Sequence, residues 1–287
     1  MKLSDLNKIT VNIPTLNEEK NIIDCIKSIK KSGIKKIIVI DGGSTDKTIK
    51  LIKSQKVKLI RVKKKGLAYQ RGIGIKNTYT KYVALIDADH RTTKNSFLKL
   101  LSDLDKSGYA SVQATLISKN KKQNYFEKCY QAITDINVNT SGPTDMVGMP
   151  TLWKTKIIKK YNFDPKFTAG SDDTDLSYRI SNKGYIFGHS SAIIYNIHRT
   201  SLKQYIKKYM WYGKGDAQFI TNHPERSLSM IKHQIFDYPI KYSFISLSKL
   251  EFYPIPFMIM VGYLRFIGMI FEFFNIILKR KEKIYST

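Results

Sequence analysis

The sequence predicts an α/β fold built on a doubly wound, mainly parallel but mixed sheet flanked by helices. Short β-branched runs alternate with amphipathic segments through the first 90 residues, as they do in consecutive βαβ units. These runs end at turn residues, and in such sheets the turns at the carboxyl ends of the strands carry ligands. With 287 residues and 42% hydrophobic content, the chain can bury the core of one large domain with an appendage.

The first predicted βαβ unit begins near the N-terminus. ITVNI (9–13) and KIIVID (36–41) are β-branched runs, as buried parallel strands are. Between them, isoleucines at helical spacing predict a helix, with Asn17 as its N-cap and Gly33 as its stop.

A second unit of the same kind follows. Ser44 and Thr45 are candidate caps for the helix predicted in STDKTIKLIKSQ, and VKLIRV (57–62) and YVALID (82–87) predict the next two strands. From 97 to about 200 the pattern mixes helix and strand less regularly, and we expect the same domain to continue there.

The composition indicates the kind of partner. The chain carries 49 Lys and Arg against 23 Asp and Glu, a formal charge of +26, which suggests a polyanionic partner. An AT-rich genome also produces a Lys excess, so both explanations stay open. Nucleic-acid binding favours clustered Arg with interleaved aromatic residues. Here the basic residues are dispersed and mostly Lys, so we expect no nucleic-acid partner.

The cysteines and the N-terminus indicate a cellular compartment. Cys25 and Cys129 are the only cysteines, too few for a disulfide framework or a zinc site. We expect reduced thiols, as in the cytosol. MKLSDLNKIT does not resemble a signal peptide, so we expect function on the cytosolic side.

Three acidic turns follow predicted strands or open a predicted helix. They carry Asp41, then Asp87 with Asp89, and then Asp172 with Asp173. Turns on one edge of a sheet converge on one crevice. Two carboxylates one residue apart suit a hard divalent cation, Mg²⁺ or Mn²⁺, and a carboxylate at a site mouth suits a general base.

Five motifs together resemble a known family. VNIPTLNEE, VIDGGSTDKT, KGLAYQRG, LIDADH and GSDDTDLSYR, in this order and at these separations, resemble the family 2 glycosyltransferases, which have the GT-A fold. The resemblance covers about residues 8–215. We expect one glycosyltransferase domain over 1–225, with a nucleotide-sugar half over about 1–95 and an acceptor half over about 96–225. The composition shifts near residue 226, which predicts an apolar, basic helical tail over 226–287.

The resemblance also implies which residues bind the nucleotide-diphospho-sugar. The first loop matches the nucleotide site, the acid after the second strand matches the group that recognises the base, and a G-x-x-x-x-R segment lies near ribose and phosphates. These positions are Pro14, Thr15, Asn17, Glu18, Asp41, Gly66, Arg71 and Asp87.

Metal and catalytic roles are implied in the same way. Asp89 and Asp87 match the D-x-D metal pair, with Asp89 the more direct ligand, and His198 matches a histidine of the metal site. Asp173 matches the catalytic base. Asp172 stands where the family has Glu, one methylene longer.

The acceptor side is less specified. The Q-x-x-R-W motif of processive members is absent, which favours a single sugar transfer. Trp211, within KKYMWYGKG (207–215), and Gly148 and Trp153, within DMVGMPTLWKT (145–155), are the candidate acceptor-side residues.

The tail predicts membrane association. FYPIPFMIMVGYLRFIGMIFEFFNIIL (252–278) holds only 13 uncharged residues before Arg265, short of the ~20 that a simple spanning helix needs. Arg265 and Glu272 are seven apart, which favours an interfacial helix or a helix pair with a polar seam. Spanning the membrane and packing on the domain stay open. The expected membrane anchors are Lys279, Arg280, Lys281 and Lys283.

We therefore expect an inverting, metal-dependent glycosyltransferase at the cytoplasmic face of the membrane, peripheral or re-entrant. It would move one sugar, UDP-linked by preference, to a lipid-linked saccharide or surface glycan. A polyprenyl-phosphate glycosyltransferase is the alternative within the fold, and a nucleic-acid-binding module the alternative from another class. A non-catalytic relative is disfavoured because Asp87, Asp89 and Asp173 are intact.

Overall fold

The structure, a computed structural model, describes residues 3–63 and 66–285. Side chains are described up to residue 278. The predicted membrane anchors from Lys279 to Lys283 therefore lie outside the described side chains.

The strands and helices follow one another along the whole described chain. The strands are β1 (Ile9–Thr15), β2 (Lys36–Asp41), β3 (Lys58–Arg61), β4 (Tyr82–Leu85), β5 (His90–Thr92), β6 (Ser111–Ser118), β7 (Pro143–Thr144), β8 (Thr151–Lys154) and β9 (Phe187–Asn196). The helices are α1 (Ile22–Lys31), α2 (Thr48–Ser54), α3 (Leu67–Lys76), α4 (Ser96–Ser107), α5 (Tyr125–Asn137), α6 (Thr155–Tyr161), α7 (Asp172–Ser181), α8 (Leu202–Asn222), α9 (Ser227–Lys232), α10 (Tyr242–Ser248) and α11 (Ile255–Tyr285).

The chain divides into two compact units made of interleaved segments. The first unit contains 1–121, 137–168 and 173–198, and the second is built mainly from 199–287. Two short segments, 122–136 and 169–172, complete the second unit. The predicted division into a glycosyltransferase domain over 1–225 and a helical tail over 226–287 stays a prediction.

All strands of the first unit join one mixed sheet, in the order β3-β2-β1-β4-β8-β6-β9-β5, with β7 paired to β9. β1 pairs in parallel with β2 and β4, and β2 with β3. The other half joins through antiparallel β8. The mixed α/β sheet confirms the predicted fold class. Its parallel half is the part with regular β-branched runs, because strands covered on both faces need apolar residues throughout.

The first helix begins later than predicted. α1 starts at Ile22 after Asn21, so Asn17 as its N-cap is wrong. Asn17 has a φ of 55°, a left-handed conformation that Asn tolerates better than most residues. Its side-chain oxygen accepts a hydrogen bond from the backbone N–H of Thr45 at 2.9 Å. Asn17 therefore joins two loops instead of capping a helix.

The predicted caps of the second helix are also wrong. α2 begins at Thr48, after Lys47. The Ser44 hydroxyl accepts a hydrogen bond from the Asn17 backbone N–H at 2.9 Å. Ser44 and Thr45 thus hold the facing loop, and neither caps α2.

In the second unit, α8 and α11 pack at very short range. A Cβ added to Gly213 of α8 would lie 2.0 Å from the Arg265 carbonyl oxygen. One added to Gly268 of α11 would lie 2.5 Å from the Met210 carbonyl oxygen. Only glycine allows backbones to approach so closely. α11 therefore packs along α8 within this unit.

A buried ion pair forms the polar seam between these helices. The Asp216 carboxylate of α8 is fully buried and accepts hydrogen bonds from Nε and Nη2 of Arg265. The Ser171 hydroxyl donates to it at 2.6 Å, and the Gln234 amide donates at 2.7 Å. The charge that interrupts the apolar tail in sequence is thus neutralised inside the unit.

Candidate functional site

The D-x-D segment forms a tight turn after β4. The His90 backbone N–H donates to the Asp87 carbonyl at 3.0 Å, and the Asp87 N–H donates to Nδ1 of His90 at 3.1 Å. One ligand atom from each of Asp87, Asp89 and His90 lies within 4.8 Å of the others. The turn thus gathers two carboxylates and an imidazole where the buried strand ends.

His90 supports this turn. Because its Nδ1 accepts a hydrogen bond, the proton of the neutral ring lies on Nε2. That nitrogen is 3.9 Å from an Asp89 oxygen, which is near the carboxylate but too far for a hydrogen bond. The ring is 3% exposed, whereas the Asp89 side chain is 37% exposed. The two carboxylates are therefore the more accessible ligands for a cation.

His198 approaches the turn from the neighbouring strand. His90 pairs with Asn196 between antiparallel β5 and β9, and the Ile197 N–H donates to the Asp89 carbonyl at 3.0 Å. Continuing this register places His198 opposite Ala88. The group of close ligand atoms holds His90 and not His198, so the metal role of His198 stays a prediction.

Arg71 links the G-x-x-x-x-R segment to the D-x-D turn. Its Nη2 lies 3.1 Å from an Asp87 oxygen, and the side chain is 4% exposed. The guanidinium also lies over the Phe163 ring, 5.7 Å from its centroid. Gly66 precedes α3 with a φ of 139°, a conformation that non-glycine residues rarely adopt. The glycine thus allows the chain to enter the helix that carries Arg71.

The first nucleotide-loop candidates lie at the ends of β1 and β2. The Thr15 carbonyl accepts from the Gly42 backbone N–H at 2.9 Å. Pro14 and Thr15 are buried, while Asn17 is exposed and Glu18 half-buried. The structure therefore gathers the two predicted nucleotide loops on adjacent strands.

Asp41 lies within one of these loops. Its carboxylate is fully buried and accepts hydrogen bonds from the backbone N–H groups of Gly43 and Ser44 at 3.0 and 3.1 Å. This geometry shows Asp41 holding the loop. Its contact with a nucleobase stays a prediction.

Asp173, in the first turn of α7, belongs electrostatically to the same cluster. Burial of the carboxylate raises the pKa of Asp173, the positive charge of Arg71 lowers it in part, and the negative charge of Asp87 adds to the rise. A Cβ added to Gly148 would lie 3.4 Å from an oxygen of Asp173. The Gly148 N–H donates to the Gln113 side chain at 2.7 Å. Gly148 thus lies beside the predicted base.

Asp172, the other acid of the pair, has a different environment. It is 2% exposed and follows Ser171, whose φ is 67°. Segment 169–172 belongs to the second unit, whereas Asp173 belongs to the first. Of the two acids, Asp173 is the more accessible.

The two tryptophans differ. Trp153 is 1% exposed, donates its indole N–H to the Thr151 hydroxyl at 2.9 Å and packs edge-on against Phe187. This burial corrects the prediction that Trp153 meets the acceptor, because the ring packs in the core. Trp211 is half-buried on α8, and its ring centroid lies 5.6 Å from that of Tyr212.

Sequence reasoning missed several supporting residues. His90 was visible in LIDADH but had no assigned role. Gln113, Phe163 and Asp216 lie far in sequence from the groups they contact, and nothing in their local pattern indicates those contacts.

Comparisons with known proteins identify the family. The sequence model described as Glycosyl transferase family 2 matches residues 10–174. An uncharacterised glycosyltransferase of Rickettsia conorii is 29% identical over 188 residues, which are 63% of this chain and 31% of that protein. The chain thus spans about a third of the length of the Rickettsia relatives it matches first.

One relative carries a specific name. It is the dolichyl N-acetyl-alpha-D-glucosaminyl phosphate 3-beta-D-2,3-diacetamido-2,3-dideoxy-beta-D-glucuronosyltransferase of Methanococcus voltae. It is 26% identical over 246 residues, 75% of this chain and 74% of that protein.

Among solved structures, M. tuberculosis glucosyl-3-phosphoglycerate synthase in complex with Mn²⁺, uridine diphosphate and glucosyl-3-phosphoglycerate has the same fold. The TM-score is 0.57 at 14% identity, covering 77% of this chain and 84% of that one. The family model spans more than half of the chain, and the fold agrees with it. The chain belongs to glycosyl transferase family 2 and has the GT-A fold.

Proposed function

We propose that the protein is an inverting, metal-dependent glycosyltransferase that moves one sugar from a UDP-linked donor to a lipid-linked saccharide at the cytosolic face of a membrane. The observation that carries this proposal is the electrostatic cluster of Arg71, Asp87 and Asp173, with Asp89 beside it. It joins a phosphate-binding cation, metal-binding carboxylates and a general base in one neighbourhood.

The ligand atoms at the D-x-D turn fit a divalent cation. Asp87 and Asp89 offer hard oxygen ligands within 4.8 Å of each other, and both side chains are about one-third exposed, which leaves them accessible to a substrate. Such oxygen ligands suit Mg²⁺ or Mn²⁺. Asp89 and Asp87 would hold the ion, with His198 as a further candidate. When bound, it would supply Lewis-acid charge that neutralises the diphosphate leaving group.

Arg71 and the start of α3 would bind the donor phosphates. Guanidinium groups bind phosphate oxygens through paired, charge-assisted hydrogen bonds, and the N–H groups at a helix N-terminus favour anions. The ion pair between Arg71 and Asp87 holds the guanidinium in place. A UDP-linked donor is supported by the bound uridine diphosphate in the M. tuberculosis structure.

Asp173 would act as the general base. Its raised pKa makes the carboxylate a better proton acceptor than an ordinary aspartate. It would take the proton of the acceptor hydroxyl as the oxygen attacks the anomeric carbon. A single in-line displacement inverts that carbon without a covalent enzyme intermediate.

α11 supports the membrane part of the proposal. Its segment Ile255–Leu278 is long and apolar enough to cross a membrane by length and composition, and a third of it is buried. The other side of α11 presents an exposed apolar stripe about 28 Å long at 1.5 Å rise per residue. Exposed stripes of this kind bind the membrane interface. The stripe consists of Ile259, Tyr263, Ile267, Ile270, Phe271, Phe274 and Leu278.

A lipid-linked saccharide is preferred over a bare lipid phosphate as the acceptor. The Methanococcus voltae relative is named for a dolichyl-linked sugar phosphate. Product analysis with each acceptor separates this proposal from a polyprenyl-phosphate glycosyltransferase, which would glycosylate the bare phosphate.

Two variants test the site. Asp89→Asn should abolish the stabilisation that UDP and Mn²⁺ together give to the native state, because it removes a metal ligand. Asp173→Asn should keep that thermal shift and lose sugar transfer. Asp24→Asn, an exposed change on α1, is the matched control and should retain both. Wild-type transfer by Asp173→Asn would refute the base assignment, and an unchanged shift in Asp89→Asn would refute the metal assignment.

A further inference from the structure

A groove of about 570 Å³ runs along α8 and combines two kinds of side chain. Cations line it together with apolar groups, and no carboxylate is among its lining residues. Its lining includes Arg199, Ile206, Lys207, Met210, Trp211 and Lys214.

The cations of the groove are available to a ligand. Lys207 and Lys214 are exposed and seven residues apart, so they lie on nearly the same side of α8. Within the described part of the chain they form no ion pair with an acidic side chain. Their neighbour Lys208 is different, because its Nζ donates to the Tyr130 hydroxyl at 2.6 Å. Lys207 and Lys214 therefore keep positive charge that no acidic side chain among the described residues pairs with.

The apolar wall lies beside these cations. Ile206 is 38% exposed, and Met210 and Trp211 are half-buried. A soluble sugar phosphate would contact only the cations of the groove. A phosphate that carries a hydrocarbon chain would contact both the cations and the apolar side chains. Burying hydrocarbon is favourable by ~25 cal/mol per Å², and the cations bind the phosphate.

The groove also lies against the segment that precedes the proposed base. A Cβ added to Gly170 would lie 3.2 Å from the Trp211 ring and 2.7 Å from the Tyr212 ring. Gly170 is followed by Ser171 and Asp172, and the next residue in the chain is Asp173. A ligand in the groove would therefore be held by the same helix that supports this segment.

We propose that this groove binds the phosphate and first isoprene units of a lipid-linked acceptor. The inference rests on the proposed function, which supplies a lipid-linked acceptor, and it names the chemistry and the site of its recognition. Bulk membrane lipid suits the apolar stripe of α11, whereas a groove that sets cations beside apolar side chains suits one phosphorylated isoprenoid.

Farnesyl diphosphate, a water-soluble isoprenoid diphosphate, is the probe for the full chain. Of the two tryptophans in the sequence, Trp153 is buried and Trp211 lines the groove. Tryptophan fluorescence should therefore change on binding, and Trp153→Phe should retain the change. The double variant Lys207→Ala/Lys214→Ala should raise the dissociation constant at least tenfold.

The matched control is Lys241→Ala/Lys249→Ala. It removes the same charge from exposed positions of the same unit and should shift the constant less than twofold. The groove assignment is overturned by wild-type affinity in Lys207→Ala/Lys214→Ala, or by competition from inorganic diphosphate at equal concentration. It is also overturned if that variant loses binding only to phosphatidylglycerol vesicles, because the groove would then contact bulk lipid.

The stabilisation by UDP and Mn²⁺ separates this inference from the proposed function. It should persist in Lys207→Ala/Lys214→Ala, which also shows that the variant is folded. If the wild-type chain binds farnesyl diphosphate but is not stabilised by UDP and Mn²⁺, the proposed function is refuted and the assignment of the groove is retained.

Discussion

The ion pair between Asp216 and Arg265 should be among the most costly interactions to break. Asp216 is fully buried and Arg265 is 12% exposed. The carboxylate also accepts from Ser171 at 2.6 Å and Gln234 at 2.7 Å. Arg265→Met keeps much of the volume of the side chain and removes its charge. It would leave the Asp216 carboxylate buried with two neutral donors and no cation.

The size of the effect follows from this burial. Breaking a buried pair by removing one partner costs ~3–5 kcal/mol, because the remaining charge stays out of water. An exposed pair contributes only ~0–1 kcal/mol. Lys99 and Asp103 on α4 form such a pair at 3.0 Å, with side chains 49% and 23% exposed. Lys99→Met is therefore the matched control.

Urea unfolding followed by far-UV circular dichroism measures both variants. Arg265→Met should lower the free energy of unfolding of the second unit by ~3–5 kcal/mol, and Lys99→Met should change stability by less than ~1 kcal/mol. Asp216→Asn combined with Arg265→Met should cost less than the sum of the single variants, with a coupling of ~0.5–3 kcal/mol. Equal effects of Arg265→Met and Lys99→Met would refute the reasoning.

Three further predictions concern activity, packing and thiols. The rate of sugar transfer should fall on the acid side with a midpoint above pH 3.8, the ordinary pKa of aspartate. The reason is that burial raises the pKa of Asp173 and the base must be ionised. Arg71→Met removes a positive charge that lowers this pKa, so it should move the acid-side midpoint to a higher pH. Gly213→Ala should lower the melting temperature, because its Cβ would meet backbone at 2.0 Å and overpacking costs ~1–3 kcal/mol. Iodoacetamide at neutral pH should label neither thiol of the native protein, because burial raises the pKa of Cys129 to about 11 and that of Cys25 further.

Each of these has an opposing result. An acid-side midpoint at or below the ordinary aspartate value would show that Asp173 is not the titrating base. An unchanged melting temperature in Gly213→Ala would show that α8 and α11 do not pack at this distance. Labelling of native protein as fast as in denaturant would show that Cys25 and Cys129 are accessible.

The sequence predicts best those elements that depend on local pattern. β1, β2 and β4 consist mostly of β-branched or apolar residues and are buried along nearly their whole length, as strands covered on both faces are. Their positions agree with the prediction. The D-x-D pair is visible because strand and turn adjoin in sequence. The electrostatic interaction of Asp87 with Asp173 joins residues that are far apart in sequence, and no local pattern predicts it.

The errors arise where a polar side chain has two uses. Asn17 has the composition of an N-cap, yet its left-handed φ directs its oxygen to the facing loop. Trp153 lies in a segment predicted to line the acceptor side, yet it belongs to β8 and its ring is buried in the core. Both outcomes depend on distant partners, so single-sequence reasoning cannot choose between them.

The tail shows how a charge in an apolar helix can be misread. Considered by itself, the sequence of 252–278 disfavours a spanning helix, because Arg265 would place a charge within the apolar stretch. Asp216 of α8 accepts this charge, so Arg265 does not prevent the opposite side of α11 from contacting lipid. The apolar stripe and the ion pair are then two faces of one helix, and neither excludes the other.

α8 connects these features within the second unit. One side carries the cations of the groove, and the other accepts Arg265 through Asp216. Asp216 also accepts from Ser171, and a Cβ on Gly215 would lie 1.8 Å from the Gly170 carbonyl. The segment before Asp173 is therefore fixed by the same helix that packs against α11. Substitutions that loosen α11 should thus weaken the support of that segment, even when they lie far from the D-x-D turn in sequence.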